Sequence, residues 1–149
     1  SLDDQGNLLI NGAPYMSQLE HWGTRDMASV IAMGEAVAFQ EAIGTERIAA
    51  RGRQLAGYVR ERMADTGWSE LISPTHPDMT GSISTFRLSG FGDQNLGQAL
   101  TQDFRITIPV HREKDNQVQR VSTHLYNTFE QIDQLLDALN HLRKNPFQA

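Results

Sequence analysis

Arginine supplies most of the chemistry this sequence can offer: eleven arginines stand against two lysines, Lys114 and Lys144. Arg120 has the most suggestive surroundings. It lies in an apolar-alternating run, Val118 to Ser122, whose period of two predicts a strand. Thr128 and Gln131 come next with the Thr-x-x-Gln spacing of a capping box. The helix they open carries Ile132, Leu135, Leu136, Leu139 and Leu142 along one stripe. A guanidinium fixed at the end of a strand, with a helix locked down behind it, presents a planar fork of donors that matches a carboxylate. Position alone leaves a second reading open, in which Arg120 faces water or pairs with a structural acid.

A second group, Arg47, Arg51, Arg53, Arg60 and Arg62, could suggest a phosphate-binding face. Glu46, Glu61 and Asp65 are interleaved with it, so a solvated helix face is the better expectation. The five histidines, His21, His76, His111, His124 and His141, show no metal-ligand spacing, and no metal site is expected. There is no Gly-x-Ser-x-Gly elbow and no evident carboxylate pair. The glycines at 90 and 92 suit a turn rather than a phosphate loop. These residue types offer one candidate anion-binding arginine and neither nucleophile nor base. They describe a subdomain that completes a site without containing one.

The elements that must position Arg120 can be read from pattern. Asn7 to Gly12 reads as a short strand ending in an Asn-Gly turn, inside a lead of about 25 residues with little periodicity. Thr24 or Asp26 caps a first helix with Met27, Val30, Ile31, Ala38 and Ala42 at helical spacing. Gly44 ends it, and Thr45 is the expected cap of a second helix whose stripe is Ile48, Leu55, Val59 and Met63. Gly67 is the stop. Gly81 to Leu88 reads as a strand with Ser82, Ser84, Phe86 and Leu88 on one face. Ser89 to Asp93 turns into and caps a short helix containing Leu96, Ala99 and Leu100. Phe104, Ile106, Ile108 and Val110 alternate strictly and predict the clearest strand, with Pro109 marking an edge or a strand end. His111 to Gln117 is a charged hairpin connection to the returning strand. The order ααβαββα gives an α+β fold, a small antiparallel sheet with helices on one face.

Composition bounds the rest. At 149 residues the length fits one domain with a real core. A net charge of −5 argues against nucleic acid or an anionic membrane as partner. With no cysteine, disulfides and thiolate chemistry are excluded. No apolar run reaches the roughly 18 residues of a membrane span, and a cytoplasmic location is the default expectation.

Four short stretches occur in a telling order. They are Gly23-Thr24-Arg25-Asp26 before a helix, Gly81-Ser82-Ile83 leading a strand, Phe104-Arg105-Ile106, and Arg120-Val121-Ser122 with Tyr126-Asn127-Thr128 after it. Together they resemble the C-terminal third of class V aminotransferase-type, pyridoxal-phosphate-dependent enzymes, most of all the isopenicillin N epimerase-like branch. The resemblance implies that residues 1–26 are the tail end of a cofactor-binding large domain and 27–149 the C-terminal small domain of fold type I. It implies that Gly23 and Thr24 contact the phosphate of pyridoxal phosphate across a homodimer, and that Arg120 takes the carboxylate of an amino-acid substrate. Epimerisation, transamination and elimination all remain open.

Two departures qualify it. Cysteine desulfurases of this fold use a catalytic cysteine that this chain lacks, although a cysteine-free C–S lyase stays possible. The cofactor lysine is also missing, because neither Lys114 in a hairpin loop nor Lys144 at a helix end suits a desolvated pocket. The chain is therefore expected to be a fragment of a longer enzyme and to be inactive alone. A non-catalytic stand-alone binding or dimerisation module is the alternative from a different class.

Overall fold

The structure is a computed structural model, and it describes residues 1–10, 13–14, 23, 26–113 and 116–147. The chain forms two compact units, Ser1–Ala42 and Ile43–Ala149.

In the first unit, β1 (Leu9–Ile10) pairs antiparallel with β2 (Ala13–Pro14), Ile10 opposite Ala13. The Asn-Gly turn expected between them lies outside the described residues. Helix α1 (Met27–Ile43) comes next. Asp26 caps it as expected: its carboxylate accepts from the Ala28 N–H at 3.0 Å and the Ser29 hydroxyl at 2.6 Å. These bonds hold the Asp26 carboxyl below its ordinary range, the Ser29 hydroxyl contributing most. The helix buries none of its residues, and Met27, Val30, Ile31, Met33, Val37 and Phe39 are all at least half exposed.

In the second unit, a four-stranded antiparallel sheet has the order β3-β4-β6-β5. Its strands are β3 (Ser69–Leu71), β4 (Ile83–Leu88), β5 (Val110–Glu113) and β6 (Asn116–Ser122). Helices α2 (Thr45–Ala64), α3 (Leu96–Phe104) and α4 (Phe129–Lys144) pack on one face. The α+β class and the one-sided layering agree with the sequence reading. Strand β3 is an addition, too short for its pattern to show in the sequence. Among the described residues no helix is long and apolar enough to cross a membrane.

The core forms where three apolar stripes meet the inner sheet face. Leu55, Val59 and Met63 of α2, Leu96 and Leu100 of α3, and Leu136, Leu139 and Leu142 of α4 close on Phe86 and Leu88 of β4. Each such side chain contributes about 2 kcal/mol on leaving water. Helix α2 comes closest to the sheet at Gly52, where a Cβ would fall on the Ser82 hydroxyl. At the solvent edge of the α2–α4 seam, the Tyr58 hydroxyl donates to Asp133 at 2.9 Å, and Arg62 Nε donates to Asp133 Oδ1 at 3.0 Å. Arg60 reaches the Ser84 hydroxyl at 2.8 Å. Part of the arginine-rich face of α2 therefore serves as tethers, which the solvated reading did not foresee.

Three local expectations are corrected. Gly44, not Thr45, precedes α2, with φ of 100° and no side-chain cap. Asn95 caps α3 by accepting from the Gln98 N–H at 3.1 Å, so the turn at 89–93 only leads in to it. The strand expected over Phe104 to Val110 starts only at Val110. Phe104, Ile106, Ile108 and Val110 do sit half-buried against the core, alternating with exposed Arg105, Thr107 and Pro109. The burial alternation holds, but the hydrogen-bond ladder does not. Arg120 N–H donates to the Pro109 carbonyl at 3.2 Å, and proline has no N–H to return. The next rung of an antiparallel ladder would join Thr107 to Ser122. Among the described residues no backbone hydrogen bond joins them.

Three glutamines are buried on or beside the inner sheet face. Gln94 donates to the Phe91 and Leu142 carbonyls at 2.9 and 3.2 Å, and Gln117 donates to the Gln94 carbonyl at 3.0 Å. Gln119, fully buried opposite Phe86 and Val110, has neither amide atom hydrogen-bonded.

Three outcomes are expected. Gly52→Ala should lower stability by about 2 kcal/mol through overpacking, against its better helix propensity, and Ser82→Gly should rescue it. A melting temperature at or above wild type for Gly52→Ala would refute the close approach. Gln119→Met should raise stability by about 1–2 kcal/mol, because it removes an unpaired buried amide at similar volume, and a lower denaturant midpoint would count against this. The bond to Asp133 raises the Tyr58 hydroxyl above its ordinary value of 10.0. Its stabilisation is complete below that value and is lost as pH rises through the raised one. The stability gap between wild type and Tyr58→Phe should accordingly close in alkaline buffer, and chemical denaturation across pH tests it.

Candidate functional site

Strand β6 places Arg120. Gln117, Gln119, Val121 and Thr123 are buried beneath the helices, so Arg120 and Ser122 project from the opposite, uncovered face. Arg120 stands opposite Thr85 of β4, and its backbone is tied to Pro109. Among the described residues its guanidinium makes no hydrogen bond or ion pair. Among the described residues Arg120 meets no acid and it is exposed, as the second reading of the sequence, in which it faces water, allowed. By contrast Arg87, on the same face, is paired with Glu70 at 2.7 Å.

The turn after β6 is fixed from several sides. Thr123 donates from both its N–H and its hydroxyl to the Ser82 carbonyl, each at 3.0 Å. Asn127 Oδ1 accepts from the His124 N–H at 2.7 Å, and its Nδ2 donates to Gln131 at 3.0 Å. Gln131 and Thr128 form the expected capping box of α4. Across the seam, Arg51 donates to the Asn127 carbonyl at 3.0 Å and lies over the Phe129 ring, whose other neighbour is Tyr58, edge-on at 4.8 Å. Sequence reasoning found the capping box but missed this role of Arg51, since nothing local marks a residue that acts 76 positions away. His124 and Tyr126 stack at 4.4 Å beside the strand end, both exposed.

Where the ladder stops at Pro109, the segment 105–109 parts from β6 and leaves a groove of about 480 Å³. Ile106, Ile108 and Val121 wall it, and Ile132 and Leu135 of α4 lie at its floor. Arg105, which borders it, has φ of 57° and ψ of 33°, and it is the sole described non-glycine residue at positive φ. The backbone N–H groups of Arg105 and Ile106 both return to the Leu100 carbonyl, which ends α3.

Gly23, expected at a cofactor phosphate, is exposed with φ of 78°, and among the described residues nothing lies within 4 Å of where a Cβ would stand. That geometry leaves its backbone open to a close-approaching group. Thr24 lies outside the described residues. The first turn of α1 is less free for an anion than its sequence suggests, because the Asp26 carboxylate already occupies it. Lys144 is exposed in the last turn of α4, where it complements the negative helix end. Lys114 lies outside the described residues.

Comparison with known proteins gives a consistent picture. The family model described as aminotransferase class-V matches residues 9–135. The chain is 38% identical to an isopenicillin N epimerase of Amycolatopsis lactamdurans over 87% of this chain and 33% of the relative. It is 35% identical to an isopenicillin N epimerase of Streptomyces clavuligerus, over 89% and 34%. A probable cysteine desulfurase of Streptomyces coelicolor is 28% identical, over 81% and 31%. The chain spans about a third of the length of these relatives. Among solved structures, 8-amino-7-oxononanoate synthase from Francisella tularensis matches 68% of this chain and 28% of its own, with a TM-score of 0.50 and 25% identity.

Proposed function

The chain belongs to the aminotransferase class-V family, and we propose that it is the small-domain portion of a pyridoxal-phosphate-dependent enzyme acting on an amino acid, with Arg120 as the residue that holds the substrate carboxylate. The observation that carries this reading is an arginine with no partner among the described residues, fixed by register on the uncovered face of a sheet whose other face is packed. A free guanidinium there offers two parallel N–H donors, and a carboxylate is the anion whose geometry they match. The alternation of β6 turns the side chain outward, and the tied turn at Thr123 and Asn127 keeps that strand end from fraying.

Pyridoxal phosphate, when bound, supplies an electron sink for charge developing at the substrate Cα. Gly23 fits a contact to its phosphate through an open backbone at positive φ, and Thr24 would add a hydroxyl. In this reading Gly23 and Thr24 serve the partner subunit of a homodimer. Residues 1–26 close the cofactor-binding domain, and 27–149 form the small domain. The bare apolar surface of α1 supports a larger assembly, since a helix apolar on several sides is normally covered. The lysine that holds the cofactor would lie outside this chain, so the chain alone would be inactive.

In the intact enzyme, Arg120→Ala should lower kcat/KM about 30-fold or more, because truncating one partner of a desolvated charge pair costs roughly 2–5 kcal/mol. Arg120→Lys should recover little, as it keeps the charge and loses the planar fork. Cofactor affinity should stay near wild type in both, whereas Thr24→Ala should weaken cofactor binding first. If Arg120→Ala melts early yet turns over its amino acid at the normal rate, the carboxylate role is wrong.

A further inference from the structure

Arg120 does not stand alone on its face of the sheet. Its cross-strand neighbour on β4 is Thr85. The Arg120 N–H donates to the Pro109 carbonyl on the β5 side. The Thr85 backbone turns the other way: its carbonyl accepts from the Ile72 N–H at 2.8 Å, and its N–H donates to the Ser73 hydroxyl at 2.9 Å. The two backbones thus point away from each other. That is the close, non-hydrogen-bonded kind of antiparallel pair, with Cα atoms about 4.5 Å apart and the side chains next to one another. Ser84 and Phe86 are buried, so Thr85 projects from the uncovered face with Arg120, and there it is half-buried. Its hydroxyl makes no hydrogen bond among the described residues. Arg87, two residues along β4, is by contrast tied to Glu70. The register therefore sets one guanidinium and one hydroxyl, both without a partner among the described residues, directly beside each other.

We propose that Thr85 is a second holder of the carboxylate that Arg120 takes, its hydroxyl donating to one of the two oxygens. The proposal rests on the reading of Arg120 as the substrate-carboxylate arginine. A carboxylate has about four lone-pair sites. An arginine fork fills two of them, one on each oxygen, and leaves the rest for other donors. A hydroxyl beside the fork adds a bond from a different direction, which restrains the carboxylate from tilting out of the plane of the guanidinium. That tilt governs how the bonds at the substrate Cα are presented. Thr85 is β-branched and has few rotamers, and its strand is held between β3 and β6, so the hydroxyl is in place before the anion arrives. The longer arginine arches over the anion while the threonine meets it from the sheet surface.

Aminooxyacetate and O-methylhydroxylamine probe this contact on the intact enzyme. Both condense with the carbonyl of bound pyridoxal phosphate, which absorbance follows, and only the first carries a carboxylate. Relative to their rates with free pyridoxal phosphate, wild type should favour aminooxyacetate by about 30-fold or more. Thr85→Val keeps the β-branched shape and removes the hydroxyl. It should cut that advantage about tenfold, the loss expected for one hydrogen bond to a charged group. O-methylhydroxylamine should react as it does with wild type, the melting temperature should not fall, and Thr85→Ser should keep most of the advantage. In an Arg120→Ala background, Thr85→Val should change the ratio by less than about twofold, because the two residues act on one anion. A Thr85→Val enzyme with its advantage undiminished, or one that melts early and slows both probes alike, overturns the proposal. If Arg120→Ala itself retains the advantage, the Arg120 reading falls and Thr85 falls with it. If Arg120→Ala loses the advantage and Thr85→Val does not, Thr85 alone is refuted.

Discussion

A strand can bury only every second side chain, and β6 lies in a sheet with one face covered and the other bare. Gln117, Gln119, Val121 and Thr123 lie under the helices, so a shift of one residue in the register with β4 would turn Arg120 into the core. The hydrogen bonds of Gln117 to the Gln94 carbonyl and of Thr123 to the Ser82 carbonyl hold the inward set in place beneath the apolar stripe of α4. The seam between α2 and α4, closed by Tyr58, Asp133 and Arg62, in turn holds that stripe over the sheet. The direction of one arginine thus depends on packing several layers away.

Pro109 acts in the opposite sense. It accepts from Arg120 and cannot donate in return, so the pairing that holds β5 to β6 stops there. The chain before it keeps its alternation of buried and exposed residues, since burial is set by contact with the core and not by the ladder. This separates two properties that usually travel together in a strand.

That separation also explains what was legible in the sequence. Periodicity located α2, α4, β4 and β6, and the Thr128–Gln131 box located the start of α4, because burial and local capping both leave a pattern within a few residues. The period of two over Phe104 to Val110 was equally clear, yet it reported burial and not hydrogen bonding, and the ladder begins only at Val110. The tether from Arg51 to Asn127 and the unpaired Gln119 were invisible, as each arises from residues brought together across the fold. The caps at Gly44 and Asn95 were misplaced by one or two residues, the usual uncertainty where a turn offers several candidate side chains.

The segment from Arg105 to Pro109 carries little of the structural burden of the sheet. Its side chains lean on the core, but its backbone shares a single hydrogen bond with β6 at its very end. Residues can be exchanged, added or removed there without disturbing the register that aims Arg120. A lineage built on this scaffold could therefore vary the segment 105–109 while keeping the Arg120 end of the sheet intact. Pro109 marks the border between the part of the sheet that must stay fixed and the part that evolution can revise.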